Sequence, residues 1–577
     1  MTNPTWLLVG AVYAFAVWLA RRGGVELRWR IAAFFYLLVL VFLWKPLTED
    51  FVNIPIDFVQ SLPPWTHLTP PHRQTNSDLN DIVLQIAPWA HQVRESWRGL
   101  DAPLWNHLSG SGYPLLANGQ SSPFSLVRIL ALPLPLGWAF TAEAAWKILI
   151  ALTFTFLYCR RRGYGELASA IGALCFGFST FITTWLHFPL ITVACFVPAA
   201  LYALDLLVER RTYARFVFAA GVWAAMLFGG HPETVSHTFF IALLSLAWIL
   251  FVERTVADRW RLVLTLTLGG ALAVAGLLAL PVLAPLAEAI PRSKRYAELK
   301  AKPNEIGYYS DWPSAIVLLQ PDFFGDLPFE KSWGPSTAES ITGFAGILGV
   351  GAWLALLVHV VRSRAWRSRE AFFVIATVIV VGIIMAWPGI STLFHLVFKL
   401  AANARLRLLL CLLLALQTAA VADLLQRGHV RIWLVATFAS AAVLLYLAKF
   451  VGFPNREYEL GALAAMIPSV LTLAAAALVP LIAPRWREFG LMLVAALIAG
   501  ELWSVNRDWN PTLPASLMYP KTPLIEALEA ERDKQPANAP FRITGVGPLF
   551  FPNTPAVYGF EDVRAHDPMA NDRYLGL

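Results

Sequence analysis

Apolar residues in this sequence come in blocks near twenty, separated by short polar or arginine-rich junctions. Twenty helical apolar residues reach across a bilayer's hydrocarbon core, so each block predicts a membrane-crossing helix. The blocks lie at 5–20, 31–46, 141–158, 166–185, 188–208, 214–229, 234–252, 261–288, 341–361, 371–388, 404–424, 431–451, 461–483 and 488–504. That makes about fourteen spans. The first, Trp6 to Ala20, has no basic residues before it and no clear cleavage site, and reads as a retained helix.

Longer polar segments divide the chain. Two helices occupy 1–46, a large loop 47–140, helices 141–289, a second loop 290–340, helices 341–504, and a terminal segment 505–577. The fold class expected is an all-α polytopic membrane protein with mixed α/β structure in the loops and the C-terminal segment. Within the tail, 522–533 (TPLIEALEAERD) reads as a capped amphipathic helix, and 541–547 (FRITGVG) alternates like a strand. The Pro, Gly, Tyr and Trp content of 291–340 predicts irregular structure packed on the membrane domain. The large loop is expected to be an ordered cap, with Trp89, Trp105 and Trp138 at the membrane interface.

Composition agrees with the pattern. The 577 residues are 57% hydrophobic and 14% charged, with mean hydropathy +0.57. Soluble domains carry about 25% charged residues. The net charge of +7 gives no nucleic-acid signal, because the excess sits in the short junctions. Every second junction is basic: Arg21, Arg22, Arg28 and Arg30; Arg160–Arg162; Arg210, Arg211 and Arg215; Arg254, Arg259 and Arg261; Arg362, Arg364, Arg367 and Arg369; Arg427 and Arg431; Arg485 and Arg487. The positive-inside rule places these in the cytoplasm, so both termini and all three long segments fall outside. No Gly-rich phosphate loop is present to hold a nucleotide. Cys159, Cys175, Cys195 and Cys411 lie in or beside apolar blocks, without metal-ligand spacing. Nothing in the sequence demands a cofactor, and the loop acids leave a divalent metal open.

The first loop carries the most chemistry. It runs Ser77-Asp78-Leu79-Asn80-Asp81 into Gln85, Pro88 and Trp89, then Pro103-Leu104-Trp105-Asn106, then Gly112 to Asn118-Gly119-Gln120. Aromatic faces stack on sugar C–H faces and amides bond hydroxyls, although interfacial tryptophan in a structured loop has the same composition. Asp78 and Asp81 share a helical face. Asp78 reads as a helix cap and Asp81 as the carboxylate available for general-base work. Gly229-Gly230-His231-Pro232-Glu233 is either a tight turn or a His and Glu pair presented to a phosphate or metal. Asp311, Asp322 and Asp326 read as turn residues. Arg405 and Arg407 sit at an outer helix end, against the charge rule. The guanidinium fork matches phosphate oxygens, so this pair points to phosphate binding.

These segments together resemble the YfhO family of bacterial membrane proteins, which is linked to the GT-C class of multi-spanning glycosyltransferases. The matching residues are Asp81 to Gln85 with Pro88-Trp89, Pro103 to Asn106, Gly112 to Gln120 and Gly230 to Glu233. Pro321 to Gly325 with Gly343, and Arg405, match as well. In the tail they are Phe541-Arg542, Pro552-Asn553, Tyr558-Gly559, Asp567-Pro568 and Arg573-Tyr574. The pieces at Pro103–Asn106 and Ala117–Gln120 are the most specific. Family members often continue into a larger outer domain, whereas this sequence stops at Leu577, which leaves acceptor recognition open. One extra span also precedes the loop.

The resemblance implies a bacterial inner-membrane enzyme that takes a sugar from a polyprenyl-phosphate donor, undecaprenyl in kind. The acceptor would be a cell-envelope glycan or lipid. Asp81 would be the base of an inverting transfer. Arg405, with Arg407 or His231, would bind the donor phosphate. Gln85, Trp105, Asn106, Asn118 and Gln120 would shape the sugar pocket, with Asp78 or Glu233 as cap or second acid. The rival readings are a lipid-linked glycan flippase, an O-antigen polymerase or ligase, and a non-catalytic scaffold. Interrupted helices in matching halves, expected of a transporter, are not visible.

Overall fold

A computed structural model describes residues 3–68, 76–294, 296–297, 313–325, 333–334, 342–399, 401–536, 539, 541–570 and 574. Each apolar block falls on helical structure. Among the described residues, eight helices are long and apolar enough to cross a membrane, and nine if the bent pair Arg456–Ala465 and Ile467–Leu481 forms one span. Trp29–Phe42, Tyr213–Leu227 and Leu348–Ser363 are apolar but shorter. The chain is a multi-pass helical membrane protein.

Burial ranks these helices. Arg407–Gln426 runs through the centre, with Leu408 to Leu416 all buried. Asp258–Ala289 lies at the edge and turns Leu266, Leu277 and Leu280 outward. Water is absent on both sides of such helices, so close van der Waals packing and interhelical hydrogen bonds must hold them. Small residues supply the first. A Cβ at Gly172 would meet Ala419 at 2.8 Å, and one at Gly351 would lie 1.9 Å from the Ala436 carbonyl. Polar side chains supply the second: Gly351 N–H donates to Ser440 at 3.1 Å, and Gln417 donates to Thr377 at 2.9 Å.

Most of the Arg-rich junctions meet at one end of the bundle. Arg28 and Arg30 pair with Glu166, and Arg161 and Arg215 with Glu209. Arg162 and Arg369 share Asp205, Arg369 also reaches Glu253, and Asp423 accepts from Gly165 N–H and pairs with Arg427.

At the other end, the first loop and the tail form one body. Phe51–Val52 pairs antiparallel with Leu513–Pro514, and Asn53 and Asn76 donate to the carbonyls of Asn510 and Trp509, each at 2.9 Å. Trp65 donates to Pro520 O at 2.9 Å, and Gly110 N–H to Arg564 O at 3.0 Å. The tail helix is Pro523–Arg532, capped by Thr522. The expected strand shrinks to Arg542–Ile543, parallel to Glu561–Asp562.

The loop corrects one expectation. Trp89 is fully buried and does not anchor at an interface. Its indole N–H donates to the Tyr113 hydroxyl at 2.9 Å. With its one polar atom satisfied, the ring can enter the loop's core. Trp105 is exposed, and Trp138 donates to Asp50 at 3.3 Å. In the second loop, Pro313–Leu318 and Pro321–Phe324 are short 3-10 turns, and Asp322 lies in the latter. Asp311, Asp326 and Arg573 lie outside the described residues.

Candidate functional site

A cavity of about 560 Å³ opens at the loop end of the bundle. Four stretches distant in sequence build its polar side: Asp78, Asp81 and Gln85; Asn118 to Gln120; Gly230, His231 and Glu233; and Arg405. Trp185, Phe188, Leu190, Leu286 and Ile290 form an apolar side, and Pro568 and Met569 of the tail close it.

Two glycines let the stretches meet. Gly230 has φ +82°, and a Cβ there would lie 2.1 Å from Ser122 Oγ and 2.3 Å from the Gly119 carbonyl. Ser122 Oγ donates to Gly229 O at 3.1 Å, tying the two turns together. Gly119, at φ +73°, also takes a backbone conformation that disfavours a side chain.

Asp81 stands where the chain enters a wide π-helical turn, Ile82–Ile86. Such turns recur at functional sites because the extra residue re-aims side chains. Gln85 Nε2 donates to Asp81 Oδ1 at 2.7 Å, four residues on, and orients the carboxylate. The Asp81 side chain is 51% exposed, and the His566 ring lies 3.9 Å from it. The cap expectation for Asp78 needs correcting. Asn76 caps this turn, its side-chain oxygen accepting from Asp78 N–H at 3.1 Å. Asn76 has extended backbone and a short acceptor, as a cap requires, and Asp78 is left exposed at the cavity mouth.

His231 caps the helix that starts at Pro232. Its Nδ1 accepts from Thr234 N–H at 3.3 Å and lies 2.8 Å from Thr234 Oγ1. Accepting from an amide assigns the proton of the neutral ring to Nε2. Burial, and then the Arg405 charge, push the imidazole down to about 3. The ring is therefore a neutral donor at ordinary pH.

Glu233 holds the opposite wall in place. Oε1 accepts from Ala402 N–H at 2.7 Å, and Oε2 pairs with Arg405 Nη1. The pair is partly open, with side-chain exposures of 25% for Arg405 and 17% for Glu233. Glu233 thus serves here as the partner of Arg405.

Other sequence candidates stand apart from this arrangement. Arg407 is 1% exposed at the start of its helix and does not line the cavity. Trp105 lies over the Gly112 turn, and Asn106 pairs with Tyr113 across a bridge while its side chain accepts from Leu108 N–H at 2.9 Å. Both sit outside the cavity lining. Asn118 lines the cavity but is engaged on both sides: its amide donates to Asp567 and accepts from Ser121 N–H at 3.1 Å. Gln120 remains half-buried on the wall.

The tail's contribution is new. Asp567 is buried under Asn118 and Tyr113, accepts from Met569 N–H at 2.7 Å, and is pushed by burial up to about 6. It fixes the Pro568–Met569 edge against the first loop. The sequence signal was the Asp567-Pro568 pair of the tail. Among the described residues, no group of three or more His, Cys, Asp or Glu side chains is arranged for a metal ion.

No protein-family model and no curated protein sequence matches the chain. Solved structures offer a likeness. ArnT from Cupriavidus metallidurans bound to undecaprenyl phosphate is similar over 93% of this chain and 86% of its own, at 14% identity and TM-score 0.47. The apo state of the same protein is similar over 84% and 81%, at 15% identity and TM-score 0.43. The arabinofuranosyltransferase AftD from Mycobacteria is similar over 93% of this chain and 32% of its own, at 14% identity and TM-score 0.43.

Proposed function

We propose that the protein is a membrane glycosyltransferase of GT-C type that moves a sugar from a polyprenyl-phosphate donor to a cell-envelope acceptor. One observation carries the reading: Asp81 and Arg405, 324 positions apart by their numbers, line one cavity that is polar on one side and apolar on the other. A donor of this class needs that division. Its phosphate takes the Arg405 and His231 donors, its prenyl chain the Trp185, Phe188 and Leu286 wall, and its sugar the space toward Gln85 and Gln120.

Asp81 takes the proton from an acceptor hydroxyl as that oxygen bonds to the anomeric carbon. The anomeric C–O bond to phosphate breaks on the opposite face, and its electron pair leaves with the polyprenyl phosphate. Configuration inverts. Arg405 and His231 N–H stabilise the charge that grows on the phosphate. Under the positive-inside rule the Arg-rich end faces the cytoplasm, and the cavity opens outside the bacterial inner membrane. The acceptor is a glycan or lipid of the envelope.

The test uses membranes and a radiolabelled polyprenyl-phosphate sugar. Asp81→Asn should reduce transfer by about 10²–10⁴-fold while donor binding persists, because Asn keeps the shape but cannot take the proton. Full activity in that variant would remove the enzyme mechanism and leave the flippase, polymerase or scaffold readings.

A further inference from the structure

A second cavity, of about 510 Å³, lies at the Arg-rich end, at the far side of the protein from the first. Arg21, Gly24, Val25, Glu26, Arg28, Ile31, Phe156, Arg160 and Glu166 line it. It sits where the first two helices, Thr5–Arg22 and Trp29–Phe42, pack on Leu136–Arg161. Those two helices are peripheral, with Phe15, Trp18, Leu37 and Val41 exposed, so the cavity borders the lipid.

Its charge is out of balance. Elsewhere at this end Arg162 and Arg369 are matched by two acids, Asp205 and Glu253. Here Arg28 and Arg30 share one carboxylate, Glu166, with Arg28 at 2.9 Å. Arg21 and Arg160 spend one donor each on the carbonyls of Leu27 and Tyr164. Three guanidiniums, Arg21, Arg28 and Arg160, line the cavity with two carboxylates, Glu26 and Glu166, and Arg30 adds its charge from beside it through Glu166. Aromatic rings fix their depth. Arg21 lies over Trp29 at 5.9 Å and Arg22 over Trp18 at 5.1 Å, an arrangement suited to the headgroup layer.

We propose that this cavity is a binding site for the phosphate of an anionic membrane lipid, of the phosphatidylglycerol or cardiolipin kind. A phosphodiester at this depth meets guanidinium donors and an uncompensated positive charge, while Phe156, Ile31 and Val25 receive the start of its acyl chains. Basic pockets between helices at the headgroup level bind such lipids on these grounds. The site is independent of the transfer cavity and of its proposed chemistry.

The experiment is native mass spectrometry and thermal melting of the purified full-length chain in neutral detergent. Cardiolipin, phosphatidylglycerol, phosphatidylcholine and inorganic phosphate are added separately. The two anionic lipids should remain bound and raise the melting temperature, and phosphatidylcholine should do neither. The double substitution Arg28→Gln with Arg30→Gln should weaken anionic-lipid binding by roughly tenfold or more. Glu166→Gln should strengthen it, because the competing carboxylate is neutralised, and this variant keeps the test open if the double variant folds poorly. Equal binding of phosphatidylcholine, or no strengthening in Glu166→Gln, would overturn the proposal. A shift with inorganic phosphate equal to that with lipid would assign the site to the free anion and overturn the lipid assignment.

Discussion

Glu233 grips Arg405 from 172 residues away, and its other oxygen holds the backbone N–H of Ala402 at 2.7 Å. One carboxylate therefore sets both the path of the chain into the central helix and the direction of the guanidinium. In the proposed reaction a donor phosphate competes with Glu233 for Arg405. Glu233→Gln keeps an acceptor for Ala402 but drops the charge, so it should bind a polyprenyl phosphate as well as or better than the wild type. Glu233→Ala should weaken binding and lower stability by about 1–3 kcal/mol, since a partly buried ion pair and an amide both lose their partner. Arg405→Ala should raise the donor Kd and lower turnover together, because phosphate is held in ground and transition states alike. Lipid-binding titration and single-turnover rates on the three variants separate these effects.

The hydrogen bond from Gln85 to Asp81, at 2.7 Å, makes a different prediction. Gln85→Leu leaves the carboxylate in place but removes its orienting donor. Turnover should fall by about tenfold with donor affinity unchanged, as for an interaction that matters chiefly in the transition state. Asp78→Asn should be mild, because the cap of the turn is Asn76. A dead Asp78→Asn beside an active Asp81→Asn would exchange the roles of the two acids.

Asp567 gives the structure a pH dependence with a definite sign. Burial raises its carboxyl in the folded protein to about 6, above its unfolded value. A group raised on folding stabilises fully below its unfolded pKa, and that contribution disappears as pH rises through the folded pKa. Thermal stability should therefore decline between about pH 4 and pH 6 by an amount on the order of 3 kcal/mol. Asp567→Asn, which retains an acceptor for the Asn118 amide, should flatten that decline. Melting curves of both proteins across pH 4–7.5 measure it. An unchanged slope in the variant would assign the effect to other groups.

How far the sequence revealed this site follows from the range of the interactions that build it. Helices were legible because the bilayer imposes one length and one polarity on each span. The Arg junctions were legible as a charge pattern, and their ion pairs show that most of them gather at one end. Within the site, His231, Glu233 and Arg405 stood out as polar groups at the ends of apolar blocks, and Asp81 as a loop carboxylate available for general-base work. Their pairing was not legible, since it depends on Gly230 seating directly on the Gly119 carbonyl across more than a hundred residues. Trp89 and Asn118 misled for a related reason. Side-chain type suggests what a residue can bond, but not which partner takes the bond: Tyr113 lies 24 residues further along the same loop, and Asp567 comes from the tail. His566 and Met569 were missed because only tertiary folding brings the tail to the first loop.

The last prediction concerns which end faces which compartment. The four native cysteines are buried, so an introduced thiol should label against a low background. Trp105 is 56% exposed at the loop end, and Arg367 is exposed in an Arg-rich junction. Retaining arginine on the cytoplasmic side during insertion is a strong and cumulative bias, and seven junctions carry it in the same sense. Trp105→Cys should therefore react with a membrane-impermeant maleimide on spheroplasts. Arg367→Cys should react only after the membrane is opened. The reverse pattern would turn the molecule over, put the Asp81 cavity in the cytoplasm, and remove the extracytoplasmic acceptor from the proposed reaction. Labelling of both sites in intact spheroplasts would show that the spheroplasts leak, which a cytosolic thiol protein run in parallel would reveal.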